Sequence, residues 1–188
     1  MIINLRGTSG AGKSTVARKI IDLYPVVTPN FGHKPKGKRP VSLFLSGAAN
    51  ATPLYVLGHY EIVCGGGDTV SSLGRDVIYG WMKEARDQGA DVLFEAVTLS
   101  DDYTRTYELM KGYEGLVINL KTPIEECLRR VLSRRAEAGN VKPFNATITR
   151  KRVDAISNAC YRLKQSGIPV ENLDADSAFV RIRRLLRV

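Results

Sequence analysis

The chain alternates short apolar runs with longer stretches in which apolar residues recur every three or four positions. Runs of the first kind predict buried strands, and stretches of the second kind predict amphipathic helices. Met1–Leu5 reads as the first strand. Val16, Ala17, Ile20 and Ile21 mark the first helix, which Tyr24 and Pro25 close. Val26 and Val27 begin a short strand, and Val41–Leu45 and Leu54–Leu57 form two more, joined by a turn over Gly47–Pro53. A helix is predicted over Val70–Gln88, with Val70, Leu73, Val77, Ile78, Trp81 and Ala85 on its apolar face and Gly89 just past its end. Asp91–Leu99 is a strongly apolar strand interrupted by Glu95. Ser100 or Asp101 is placed to cap a helix that reaches Met110 and stops at Gly112.

Leu116–Leu120 is another buried strand, and Thr122-Pro123-Ile124-Glu125 reads as a capping box with proline at the first helical position. The helix that follows sets Cys127, Leu128, Val131 and Leu132 on one side and crowds Arg129, Arg130, Arg134 and Arg135 on the other. After a loop over Ala138–Phe144, a long helix carries Ile148, Val153, Ile156, Cys160 and Leu163 as its stripe and ends at Gly167 and Pro169. Val170–Leu173 is the last strand, and Asp176 is placed to cap a final helix over Phe179–Leu186. Strands alternating with helices predict an α/β architecture, a central parallel sheet with helices on both faces in three layers. We expect one domain over residues 1–188 with a lid-like excursion over about 134–146.

Bulk composition adds little to this except through charge. No apolar run approaches the ~18 residues of a membrane span, and Met1 leads straight into the first strand without a signal-peptide pattern. A cytoplasmic protein with no membrane partner is expected. The three cysteines, Cys64, Cys127 and Cys160, form no C-x-x-C pair, so neither a disulfide framework nor a zinc site is expected. The formal net charge of +9 is accounted for by a polyanionic partner or by a merely basic, soluble surface.

The chemistry begins at Gly7-Thr8-Ser9-Gly10-Ala11-Gly12-Lys13-Ser14-Thr15, which fits G-x-x-x-x-G-K-S/T between a strand and a helix. The glycines let successive N–H groups turn inward on an anion, and the helix start adds its positive dipole end. A nucleoside triphosphate is the ligand such a loop cradles. Lys13 reaches its β- and γ-phosphates, Ser14 ligates Mg²⁺, and Thr15 packs or bonds beside it. The chain lacks the N-K-x-D segment of a GTPase, and its strand ending Leu93-Phe94-Glu95-Ala96 carries a single acid rather than the Asp-Glu of motor ATPases. An arginine-rich helix before a loop suits a small kinase, where cations stabilise charge on the transferred phosphoryl group. Arg130, Arg134 and Arg135 are the candidates, Arg134 first, although one helix cannot point all three inward.

Glu95 is the candidate for the metal or its water. Asp68 and Glu61 compete as the base for an acceptor hydroxyl, and Asp68 is equally suited to capping the helix after it. Both lie near Cys64-Gly65-Gly66-Gly67, and glycines in succession are costly unless backbone bends sharply or approaches a ligand. Arg75 can contact an acceptor phosphate or pair with a nearby acid. Lys34, Lys36, Lys38 and Arg39 fall within six residues and suit a phosphate backbone as well as solvent. His59, Tyr60 and Phe31 are available to stack on bases, or to pack.

Together, Gly7–Thr15, Gly58-His59-Tyr60-Glu61, Cys64-Gly65-Gly66-Gly67-Asp68-Thr69 and the arginine helix resemble the bacteriophage P-loop kinases of DNA hypermodification, the 5-hydroxymethyluracil DNA kinases. The resemblance implies the P-loop NTPase fold of the small-kinase type. It also implies ATP and Mg²⁺ as cofactors and DNA containing 5-hydroxymethyluracil as the substrate phosphorylated on its hydroxymethyl group. A kinase of a free nucleoside, nucleotide or other metabolite, and a nucleotide-regulated DNA-binding module without catalysis, are the alternatives that the residues leave open.

Overall fold

The computed structural model describes residues 1–32, 39–62, 65–140 and 145–188. Strand β1, Ile2–Arg6, is buried along its whole length. Its flanking strands are β5, Asp91–Glu95, and β6, Gly115–Leu120, both parallel to it. The remaining strands are β2, Val26–Asn30, β3, Ser42–Ser46, β4, Leu54–Leu57, and β7, Val170–Leu173. They complete one seven-stranded sheet in the order β2-β3-β4-β5-β1-β6-β7. β4, β5, β1, β6 and β7 run parallel, whereas β3 is antiparallel to both β2 and β4. The centre of the sheet is parallel, as expected, and the turn expected between Val41–Leu45 and Leu54–Leu57 joins an antiparallel pair at its edge. A hairpin turn needs only a few residues, and a parallel crossover needs a dozen or more. β2 is exposed throughout and contains Pro29, which an edge strand tolerates because no neighbour needs its missing N–H.

The helices are α1, Lys13–Ile21, α2, Arg75–Asp87, α3, Thr104–Met110, α4, Ile124–Glu137, α5, Ala146–Gln165, and α6, Ala175–Leu186. Successive residues of β1 feed opposite faces of the sheet. Ile2 joins Phe94, Ile78 and Met82 of α2, and Ile156 and Leu163 of α5. Ile3 and Leu5 join Val16 and Ile20 of α1, Ala178 and Ile182 of α6, and Cys127 of α4. Each fully buried aliphatic side chain contributes about 1.5–3 kcal/mol, and burial on both faces is what a parallel sheet requires.

Several local expectations are corrected. The helix expected over Val70–Gln88 is two elements, a 3₁₀ helix at Gly67–Leu73 and α2, divided at Gly74 with φ +89°. The break turns the apolar stripe, so Tyr79 and Met82 are buried and Val77 is 45% exposed. Leu132 and Ile148, placed on apolar stripes, face solvent as well. The strand from Asp91 stops at Glu95, and the next helix starts at Thr104 with Asp102, not Ser100 or Asp101, accepting from the Arg105 N–H at 3.1 Å. Pro123 is itself the N-cap of α4, and the Thr122 hydroxyl donates to the Ala11 carbonyl at 2.8 Å instead of closing a capping box. Asp174, not Asp176, caps α6. Cys127 and Cys160 are buried free thiols, as expected; Cys64 lies outside the described residues.

Candidate active site

The loop after β1 curls back on itself before α1 begins at Lys13. Gly10 has φ +83°, and a Cβ there would stand 2.4 Å from the Cys127 carbonyl oxygen, so α4 packs directly on the loop. Lys13 is buried, and its Nζ donates to the carbonyls of Gly7 at 2.9 Å and Thr8 at 3.2 Å. Burial lowers the Lys13 pKa, and the nearby charges of Glu95 and Asp68 oppose that. The Ser14 hydroxyl donates to Glu95 Oε1 at 2.8 Å. Glu95, at the end of β5 beside Leu5, is 1% exposed. Burial raises its pKa, while Lys13 and the Ser14 hydrogen bond pull it down.

Ser9, Gly10, Gly12, Lys13, Ser14 and Thr15 line one cleft of about 590 Å³. Asp68, Glu95, Arg130 and Arg134 line the same cleft. Sequence positions far apart therefore meet there. Gly7 and Ala11 lie behind the lining, Ala11 buried and holding the Thr122 hydroxyl.

On the side away from α4, Asp68 is held rather than capping its helix. Its Oδ2 accepts from the Val97 N–H at 2.8 Å, and its Oδ1 accepts from the Thr98 N–H at 3.0 Å and hydroxyl at 2.8 Å. Gly66, φ +94°, lies flat against Glu95; a Cβ there would be 2.0 Å from Oε1. The glycine run thus lets backbone close over a carboxylate. His59 is 4% exposed and its carbonyl accepts from the Gly66 N–H at 2.6 Å, so its ring belongs to the interior. Burial lowers its pKa, with Glu61 opposing and Arg39 adding to the effect. Tyr60 turns its hydroxyl inward beside Glu95; burial and that negative charge push the phenol well above its usual range. Glu61 is exposed and does not line the cleft.

Arg18 has no counterpart among the expected residues. It lines the cleft, lies over the Tyr60 ring at 5.8 Å, and donates to the carbonyls of Tyr60, at 3.4 Å, and Ile62. Its signal in the sequence is only a cation in the second turn of a helix. Arg6 is a second such residue. Fully buried at the end of β1, it donates to Asn4 Oδ1 at 2.6 Å, the Asp102 carbonyl at 2.8 Å and Thr106 Oγ1 at 2.7 Å. A cation closing an apolar strand just ahead of the loop is the readable sign of it.

On the α4 side, Arg130 donates to Glu126 at 2.7 Å and to the Gly10 carbonyl at 3.3 Å. Glu126 also takes Arg129, and the two guanidiniums hold its carboxyl down at about 2. Arg134 is half-buried in the cleft wall, whereas Arg135 donates to Asn140 at 3.2 Å and is not part of the lining. Arg75 pairs with Asp102 at 3.2 Å and Asp101 at 3.7 Å, outside the cleft lining. Arg39 and Phe31 are exposed. Lys34, Lys36 and Lys38, and residues 141–144 of the expected lid, lie outside the described residues.

Among the described residues no three His, Cys, Asp or Glu side chains gather as a metal cage. Magnesium does not need one, since it is held by one or two protein oxygens together with phosphate and water. The Ser14 hydroxyl and the Glu95 carboxylate, 2.8 Å apart, are a donor set of that kind.

No family model matches the sequence. Deoxyadenosine kinase from M. mycoides with bound dATP superposes with a TM-score of 0.48 at 14% identity, covering 100% of both chains. Its complex with the products dcmp and dcdp gives 0.49 at 15% identity, covering 100% of this chain and 98% of that one. Scores of that size are no basis for assigning chemistry. The relationship in sequence is much stronger. The 5-hmdU DNA kinase of Pseudomonas phage PaMx11 is 39% identical over 187 residues, which span 98% of this chain and 96% of that one. Identity of this extent along nearly the whole of both proteins establishes that the chain belongs to the 5-hmdU DNA kinase family.

Proposed function

We propose that the chain transfers the γ-phosphoryl group of ATP to the hydroxymethyl oxygen of 5-hydroxymethyluracil within DNA. One observation carries the catalytic part of this reading. The loop lysine, the Ser14–Glu95 pair, Asp68 and two arginines of α4 converge on one cleft. The family relationship supplies the acceptor.

In this reading the triphosphate lies on the loop N–H groups at the start of α1. Lys13 exchanges the carbonyls of Gly7 and Thr8 for the β- and γ-phosphates. Arg130 and Arg134 stabilise charge that develops on the transferred group. Magnesium, held by Ser14 and Glu95, neutralises phosphate charge when bound. Asp68 takes the proton as the acceptor oxygen bonds to the γ-phosphorus and the bond to the ADP oxygen breaks. Its three hydrogen bonds from residues 97 and 98 fix its direction. In the same reading residues 1–188 form a single kinase domain that works in the cytoplasm, that of the host cell for a phage-encoded chain.

Labelled ATP supplied with modified and unmodified DNA tests the assignment. Label is expected only on modified DNA, recovered after digestion as phosphorylated 5-hydroxymethyldeoxyuridine. Equal labelling of both DNAs, or label at 5′ ends, would overturn it. Asp68→Asn is expected to lower kcat roughly 10²- to 10⁴-fold with little change in KM for ATP.

A further inference from the structure

One polar group beside the cleft has no task in the mechanism above. The Tyr60 hydroxyl is sealed from solvent, and among the described residues it has no hydrogen-bond partner. A buried hydroxyl without a partner costs free energy, and folded proteins pair the great majority of such groups. The acceptor that suits it stands close by. A Cβ built on Gly66 would be 3.3 Å from the Tyr60 hydroxyl and 2.0 Å from Glu95 Oε1. Phenol and carboxylate therefore meet at the same glycine, which has no side chain to keep them apart.

The surrounding contacts fix this arrangement. The Gly66 N–H donates to the His59 carbonyl at 2.6 Å, which brings Gly66 back beside Tyr60. A Cβ on Gly65 would stand 2.8 Å from the Tyr60 Cα, so the return is a close one. Arg18 lies over the phenol ring at 5.8 Å and donates to the Tyr60 carbonyl at 3.4 Å. The ring packs on the layer that holds Val16 and Ile20 of α1. Glu95 lines the cleft and Tyr60 does not. Tyr60 can therefore reach the reaction only through the carboxylate in front of it.

The pairing has one direction. A phenol has one O–H to donate, and an ionised carboxylate only accepts. That carboxylate has about four acceptor sites, and the Ser14 hydroxyl takes one of them at 2.8 Å. Carboxylates that ligate metals are held in turn by outer hydrogen bonds, which set their orientation. We propose that Tyr60 is the residue that positions Glu95 for magnesium: its hydroxyl donates to the carboxylate when the metal is bound with ATP. The inference rests on the kinase reading, in which Ser14 and Glu95 hold the metal. Metal ligation and the Tyr60 hydrogen bond are then coupled, because each fixes the carboxylate for the other.

Tyr60→Phe removes the hydroxyl and keeps the ring. Calorimetry gives the ATP affinity of wild type and variant in EDTA and in saturating Mg²⁺. Thermal melting is run without ligand, and phosphate transfer to DNA containing 5-hydroxymethyluracil is followed against Mg²⁺ concentration. Wild type is expected to bind ATP more tightly with Mg²⁺ than without. The variant is expected to lose about tenfold of that gain and to match wild type in EDTA. The Mg²⁺ concentration for half-maximal transfer rises by the same factor. Without ligand the variant is expected to melt no lower than wild type, because the hydroxyl removed is unpaired. An equal Mg²⁺ gain in both proteins overturns the role of Tyr60, and transfer by wild type then leaves the kinase reading intact. A lower melting temperature, or an equal loss of ATP affinity in EDTA and in Mg²⁺, also overturns it, since the hydroxyl would then support the fold or the loop. Wild type that neither gains affinity from Mg²⁺ nor transfers phosphate overturns both.

Discussion

Gly66 and Gly74 both occupy backbone space that side chains avoid, at φ +94°, ψ −164° and φ +89°, ψ +143°, but only one of them touches the chemistry. An alanine at either position carries a backbone cost of about 1–3 kcal/mol. At Gly74 nothing lies within 4 Å of the added Cβ; at Gly66 it would meet Glu95 Oε1 at 2.0 Å and the Tyr60 hydroxyl at 3.3 Å. Gly74→Ala is therefore expected to lower the melting temperature and leave kcat close to wild type. Gly66→Ala is expected to displace the Glu95 carboxylate from Ser14 and lower kcat at least tenfold at a similar loss of stability. Thermal melting and steady-state kinetics on the two variants separate these effects, and equal kcat in both would show that the glycine run has no part in placing Glu95. The glycine run was legible in the sequence as a place of close approach. What it approaches was not, because Glu95 reaches Gly66 only through the pairing of β4 with β5. Arg18 was hidden for the same reason. Its partners are carbonyls at Tyr60 and Ile62, and a backbone carbonyl leaves no mark in the residue alphabet.

Among the elements, α6 shows how a cap shapes the cleft. Asp174 accepts from the Ser177 N–H at 2.8 Å and hydroxyl at 2.9 Å. The next two residues, Ala175 and Asp176, line the cleft, while Ala178, Ile182 and Leu186 anchor the helix on the core. Reading Asp176 as the cap erred by two residues, which is the usual uncertainty where Asp recurs at a helix start. The hydrogen bonds from Ser177 depress the Asp174 pKa below its ordinary value of 3.8. A depressed carboxylate contributes stability that is present above 3.8 and is lost as pH falls through the folded value. The wild-type melting temperature is expected to fall as pH drops from about 5 toward 2. Asp174→Asn, which still accepts a hydrogen bond, is expected to reduce the slope in that window and leave it unchanged near pH 7. A slope identical to wild type would remove Asp174 from the acid response. Elsewhere, the long apolar elements β1, β5 and β6 were readable within a residue or two at β1 and β6, whereas the 70–88 helix was not. Its apolar residues suit one continuous helix, and only the left-handed turn at Gly74 reveals the division.

Across the whole molecule, alternation made the parallel core legible, but not the strand order. Order depends on where each crossover returns, and crossover helices of similar length can return to either side. Net charge was legible as a number and silent on placement. Among the described residues, Arg75, Arg105, Arg129, Arg130, Arg150 and Arg181 are each paired with a carboxylate, so the formal +9 is not spread evenly over what a polyanion can use. Charge that serves DNA binding must act through phosphate contacts, and each contact releases a counterion. The logarithm of kcat/KM for DNA is therefore expected to fall linearly with the logarithm of salt concentration, while KM for ATP changes far less. Exposed Arg39, beside the lysine-rich segment, is expected to contribute one such contact. Arg39→Ala then lowers the magnitude of the slope by about 0.7 on single strands and leaves the dependence on ATP alone. Parallel salt series on wild type and variant decide the matter: identical slopes would mean that Arg39 and its neighbours serve solubility, and a slope near zero in wild type would mean that DNA is held through its bases without its phosphates.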